Sequence, residues 1–170
     1  QNTVLKQKTH LWHERKSTRF FSSKKISQEH IDFILDAARW APSCMNAQPW
    51  SFIVIQERPK IETILNMCFY GKTDYLPPAL IAIAIEDDMS TQIELPLAHR
   101  LKKRYLPYID HIGAGMCALN MQYAAQIYNL GSCIFSPVSH DINLLLDLPA
   151  RMKTTLIVGL GYEKNERKKS

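Results

Sequence analysis

Apolar residues recur at helical spacing over Ile31, Ile34, Leu35 and Ala38, with polar and charged positions between them. Ser27 reads as the N-cap of this helix, Ile26 and Ile31 as a hydrophobic staple around it, and Glu29 suits its first turn. Pro42 disfavours helical geometry in the residue before it, so the helix is expected to end at Trp40–Ala41. The period then changes. Ser51 to Ile55 is a β-branched run that predicts a strand over 51–56. Pro59 opens a second, short helix carrying Ile61, Ile64, Leu65 and Cys68, and Gly71 to Asp74 reads as a turn. Ala79 to Ile85 is apolar at every position, the pattern of a strand buried on both faces and therefore central. Glu86-Asp87-Asp88 closes it as a solvated turn.

Residues 1–14 read as a helix with Leu5, Leu11 and Trp12 available for burial, whereas 89–108 show no usable period. A long helix is expected from about Ile109 to Leu130. Along it Ile109, Ile112, Met116, Leu119, Tyr123, Ile127 and Leu130 recur at three- and four-residue steps among small residues. An interior glycine costs ~1 kcal/mol against alanine, so Gly113 and Gly115 imply that another backbone comes close. That backbone belongs either to a copy of the same helix in a dimer or to the chain's own sheet. Gly131 to Phe135 reads as a short strand, Ser139 as the cap of a helix over Ile142–Leu146, and Thr154 to Gly159 as a last strand leading into Leu160-Gly161-Tyr162.

A chain of 170 residues with 46% hydrophobic positions suits one domain, 1–170. The longest apolar run, Ala79 to Ile85, is too short to span a bilayer, and no signal-peptide pattern opens the chain. The net charge of +5 gathers partly in the tail, without the basic helix and interleaved aromatics that nucleic acid binding calls for. Cys44, Cys68, Cys117 and Cys133 show neither paired nor metal-ligand spacing, and His10 and His13 have no third ligand nearby. The expectation is a cytoplasmic protein with reduced thiols, no metal, no nucleic acid and no membrane.

Two polar clusters stand out against this frame. Arg15, Lys16 and Arg19 place three cations within five residues beside Ser17 and Thr18, a composition that suits phosphate oxygens or a solvated charge run. Phe20 and Phe21 would anchor the cluster to the domain. The second cluster lies between the helix end and the 51–56 strand. There Ser43, Asn46 and Gln48, held between Pro42 and Pro49, form either a structural turn or a rigid loop that reads the edge of a flat heteroaromatic ligand. Hydrolase motifs are absent, and Gly159 and Gly161 make no dinucleotide fingerprint. Chemistry carried by a bound cofactor fits that absence.

Together, Arg15-Lys16-Ser17-Thr18-Arg19-Phe20-Phe21 and Ala41-Pro42-Ser43-Cys44-Met45-Asn46-Ala47-Gln48-Pro49-Trp50 resemble the FMN-dependent nitroreductase family. The likeness extends through Gly113–Cys133 and Gly159–Tyr162. It implies an α+β fold with a mixed, mostly antiparallel central sheet flanked by helices, built as an intertwined homodimer with FMN at the subunit interface. It also implies ping-pong electron transfer from NADH or NADPH, through the flavin, to a small nitroaromatic, quinone-like or similar oxidant. By the same resemblance Arg15, Lys16, Ser17 and Arg19 would hold the phosphate and ribityl chain, with Arg19 offsetting charge on the reduced ring. Pro42, Ser43 and Asn46 of the partner subunit would line the ring, with Gln48 in the same loop. The backbone at Phe135, Ser136 and Pro137 would face it, and Arg167 or Lys168 would complete the phosphate site. Three positions depart from the family pattern: Lys16 stands where arginine is common, Pro137 lacks an N–H, and Glu163 replaces a proline. Alternatives on the same fold are a reductive dehalogenase or flavin-destroying enzyme, or a non-catalytic flavin-binding module.

Overall fold

The computed structural model describes residues 11–69, 76–86 and 106–164. Residues 1–10 of the helix expected over 1–14, the turn at Gly71–Asp74, Asp87–Asp88, the stretch 89–105 and the tail residues Arg167 and Lys168 lie outside them. Residues 11–14 are helical.

Helix α1 spans Gln28–Arg39, and the Ser27 hydroxyl accepts from the His30 N–H at 3.3 Å, as an N-cap should. A 3₁₀ turn at Cys44–Asn46 leads into strand β1, Trp50–Ile55. Helix α2, Arg58–Asn66, has Pro59 in its first turn. Strand β2 is Cys68–Phe69, so Cys68 belongs to a strand edge and not to the helix before it. Strand β3 (Ala79–Glu86), helix α3 (Leu106–Ile127), strand β4 (Gly131–Pro137), helix α4 (Asp141–Leu145) and strand β5 (Met152–Gly161) follow.

The five strands lie in the order β1-β3-β5-β4-β2, and each pairing is antiparallel. Among the described residues the only parallel pairing is a single bridge, Ser17–Ser132. β3 is an interior strand between β1 and β5, as its unbroken apolar run requires, and its alternate side chains feed two cores. Ile81, Ile83 and Ile85 pack with Ile31 and Ile34 of α1 and with Ala114, Ala118 and Met121 of α3. Leu80 and Ala82 pack on the other face with Ile61, Ile64 and Leu65 of α2 and Ile142 of α4. Each fully buried isoleucine or leucine contributes about 1.5–3 kcal/mol, so this two-sided burial holds the sheet between its helices.

Helix α3 ends three residues earlier than its apolar pattern suggests. Asn129 takes a left-handed conformation (φ 55°), and the Leu130 N–H turns back to the Ala125 carbonyl at 2.9 Å. Ser139 does not cap α4 in the usual way, since His140 holds that position. Its hydroxyl instead accepts from the Asp141 N–H at 3.1 Å.

The faces of α3 invert the usual order of sizes. Ala114, Cys117, Ala118, Met121, Ala124 and Ala125 are buried against the sheet and α1. The larger Tyr108, Ile112, Met116, Leu119 and Ile127 are exposed. Gly113 is buried under the Trp50 ring, where an added Cβ would lie 3.1 Å from it, while a Cβ on Gly115 would meet nothing within 4 Å among the described residues. One glycine is thus explained by the chain's own loop; the other opens beside the exposed stripe.

Candidate functional site

The cationic segment crosses the start of β4. The Thr18 N–H donates to the Ser132 carbonyl at 2.8 Å, the Ser22 N–H to Tyr162 at 2.9 Å and the Lys164 N–H to Phe20 at 2.9 Å. Thr18 (3% exposed) and Phe21 (2% exposed) bury themselves and fix the segment. Gly131 permits the crossing, because a Cβ there would fall 2.5 Å from the Thr18 hydroxyl. The parallel bridge places Ser17 on the same sheet face as Ser132. Arg19 reaches back to the Ser17 carbonyl at 3.5 Å.

Ser132 faces α3, since the Gln122 amide donates to its hydroxyl at 3.3 Å. Strand alternation carries Ile134 and Ser136 onto that face and turns Cys133 and Phe135 into the opposite core. Ile134 is 36% exposed and Ser136 is exposed, so this face of β4 opens beyond Ser132, which is buried against α3. At its start opens a cleft of about 490 Å³ whose lining includes Arg15, Lys16, Thr18, Gln122, Gln126 and Glu163. The Gln126 Oε1 atom is buried and has no hydrogen-bond partner among the described residues. A buried acceptor without a donor is costly, and a ligand hydroxyl would satisfy it.

Lys16 is drawn to one side of the cluster: its ammonium pairs with Glu163 Oε1 at 2.8 Å. Arg15 makes no hydrogen bond or ion pair among the described residues. Burial raises the Cys133 thiol, opposed by the nearby Arg19 charge, and pushes Cys68 up to about 11 and Cys117 to about 12. These thiols are protonated and inert at neutral pH. No group of three His, Cys, Asp or Glu side chains among the described residues could hold a metal.

The loop Pro42–Pro49 is internally braced. The Gln48 N–H donates to the Ser43 hydroxyl at 3.0 Å, and the Ala47 N–H to the Cys44 carbonyl at 2.9 Å. Met45, Asn46 and Gln48 hold left-handed φ of 50°, 57° and 49°. The Asn120 amide donates to the Ala37 carbonyl at 3.1 Å, tying the end of α1 to α3 and fixing where the loop begins. Ser43 and Gln48 spend part of their hydrogen-bonding capacity inside the loop, whereas the Asn46 side chain, exposed, makes no hydrogen bond among the described residues.

Within one chain the two clusters are not brought together. Trp50 pairs with Ile85 and Ile85 with Lys153, while Gly131 pairs with Gly161 at the far end of β5. Eight residues of strand separate those rows, roughly 26 Å, and three strand spacings, roughly 14 Å, separate β1 from β4. Phe135, Ser136 and Pro137 lie at the end of β4, where Ser136 and Pro137 pair with Phe69 and Cys68 of β2 and the Val138 N–H donates to the Met67 carbonyl at 2.9 Å. The Phe135 side chain is buried in the core, so only its backbone can serve a ligand. Gln122, Gln126 and Ser132 join the site with no motif to mark them; the signal for the first two is a pair of amides four residues apart on an apolar helix.

The Nitroreductase family profile matches residues 13–162. The chain belongs to this family. It falls accordingly in the class of NAD(P)H-dependent oxidoreductases. A protein of Archaeoglobus fulgidus, provisionally named an NADH dehydrogenase/NAD(P)H nitroreductase, is 30% identical over 158 residues, covering 90% of this chain and 83% of its own. Human iodotyrosine deiodinase 1 is 26% identical over 182 residues, covering 92% of this chain and 61% of its own. Among solved structures, an FMN-dependent nitroreductase of Clostridium difficile R20291 superposes with a TM-score of 0.73 at 22% identity, covering 93% of this chain and 88% of its own. At that identity the likeness speaks for the fold.

Proposed function

We propose that the chain is an FMN-dependent oxidoreductase that works as a homodimer, with the flavin held between the cationic segment of one subunit and the Pro42–Pro49 loop of the other. The observation that carries this reading is the face of β4 that begins at the Arg15-lined cleft, with Ser132 beside Ser17, and is exposed at Ile134 and Ser136. The donor set fits the group. Arg15 offers forked donors to phosphoryl oxygens, Ser17 a hydroxyl, and Gln126 an acceptor that lacks a donor. Ile134 and Ser136 would support the ring, and Arg19 would offset negative charge gathered on it. The loop of the same chain lies three strands away, so a second copy would supply it, packed through the exposed stripe of α3. Arg167 or Lys168 would add a cation to the phosphate.

Bound there, the flavin supplies two-electron chemistry between NADH or NADPH and a nitroaromatic, quinone-like or similar acceptor. The protein contributes alignment: a braced loop and a strand floor hold two planar partners in contact. The four free thiols favour a cytoplasmic setting. An absorbance spectrum of the purified protein tests the reading. Flavin bands bleached anaerobically by NADH or NADPH and restored by menadione or nitrofurazone are expected; no flavin binding even with added FMN contradicts it. The deiodinase likeness supports a second reading, reductive dehalogenation. Release of iodide from iodotyrosine by the reduced enzyme, with no reoxidation by menadione, would favour it.

A further inference from the structure

The cleft at the start of β4 carries its own anion. Lys16 Nζ lies 2.8 Å from Glu163 Oε1, and the two side chains are 65% and 44% exposed. Backbone pairing on both sides of Glu163 fixes its position: Tyr162 accepts from Ser22, Glu163 bridges Phe21, and Lys164 donates to Phe20. Glu14 lines the same cleft, so two carboxylates face two cations, Arg15 and Lys16. A site for a dianionic phosphate monoester would ordinarily hold an excess of positive charge. This one does not.

We infer that Glu163 sets the affinity of this cleft for phosphorylated ligands by holding Lys16, so that a phosphoryl group loads by exchange of one anion for another. The inference rests on the proposal that the cleft takes the phosphate of FMN. A lysine is a compact charge on a flexible stem and can swing from carboxylate to phosphate, as an arginine clamped in a fork cannot. The pair is exposed, so it is weak enough to exchange. The balance of charges among the described lining residues also gives a reason for Arg15, which has no acidic partner among them, to dominate phosphate binding.

The test is a fluorescence titration of flavin-free protein with FMN and with riboflavin, which lacks the phosphate. Glu163→Gln should tighten FMN binding by about two- to fivefold at low ionic strength, the size of one exposed charge interaction. Riboflavin binding should be unchanged, inorganic phosphate should compete more strongly, and the gain should shrink in about 0.5 M salt. In a Lys16→Gln background the gain should be largely lost. If Glu163→Gln leaves FMN affinity unchanged or weaker while Arg15→Ala weakens it, the inference is overturned and the proposed function stands. A gain that persists in full without Lys16 also overturns it. If Arg15→Ala has no effect on FMN, the phosphate assignment fails and this inference with it.

Discussion

At the scale of single residues, Arg15 and Lys16 are neighbours with opposite surroundings. Arg15 makes no ion pair among the described residues, while Lys16 is engaged by Glu163. Arg15→Ala should therefore weaken FMN retention by more than tenfold, as expected for a charge-assisted contact worth about 1.5–3 kcal/mol. Turnover at saturating FMN should change far less, which a comparison of kcat with flavin affinity checks. The thiols give a second prediction. Cys68 and Cys117, raised from 9.0 to about 11 and about 12 by burial, stay neutral in the fold while the unfolded chain ionises. Their contribution is therefore fully present below about pH 9 and is lost as pH rises toward 11–12. Denaturant midpoints should fall across that window, and a thiol reagent at pH 8 should label Cys44 ahead of the other three. The sequence made the cations and Pro42–Gln48 legible because their residue types are unusual together. Glu163 was visible only as a departure, since the partner that gives it meaning lies 147 positions away.

At the scale of elements, periodicity located α1, β1, β3 and β5 because each carries an unambiguous apolar pattern. It placed the end of α3 too late, because Leu130 continues the apolar repeat while Asn129, in a left-handed conformation, has already turned the chain. It also could not say which face of α3 is inside. The small residues face in because the helix lies close over the sheet, leaving the large ones outside. The two glycines should accordingly behave differently. Gly113→Ala would press a Cβ to 3.1 Å from the Trp50 ring and disturb the loop, costing about 1 kcal/mol or more despite the better helix propensity. Gly115→Ala meets nothing within 4 Å among the described residues, so thermal stability should hold while affinity in the proposed dimer falls, as sedimentation equilibrium would show. Met116→Lys should break the proposed dimer outright. A dimer indifferent to both changes would place the interface elsewhere.

For the whole molecule, the resemblance anticipated an α+β fold with a mainly antiparallel sheet, and the described strands follow it. Hydrophobic periodicity alone is silent on the separation of the two polar clusters, which the resemblance assigned to different subunits and which sheet order and register set apart within one chain. With the loop beyond β3 and the cations beyond β5, a shared ligand needs two copies of the chain. Flavin counting in mixed dimers tests this most directly. One chain carries Arg15→Ala, the other Ser43→Ala with Asn46→Ala, and each homodimer alone should lose FMN. The mixed dimer should recover about one FMN per dimer, because one of its sites combines the intact cations of one chain with the intact loop of the other. A mixed dimer as empty as its parents would place both clusters' function within a single subunit and contradict the account.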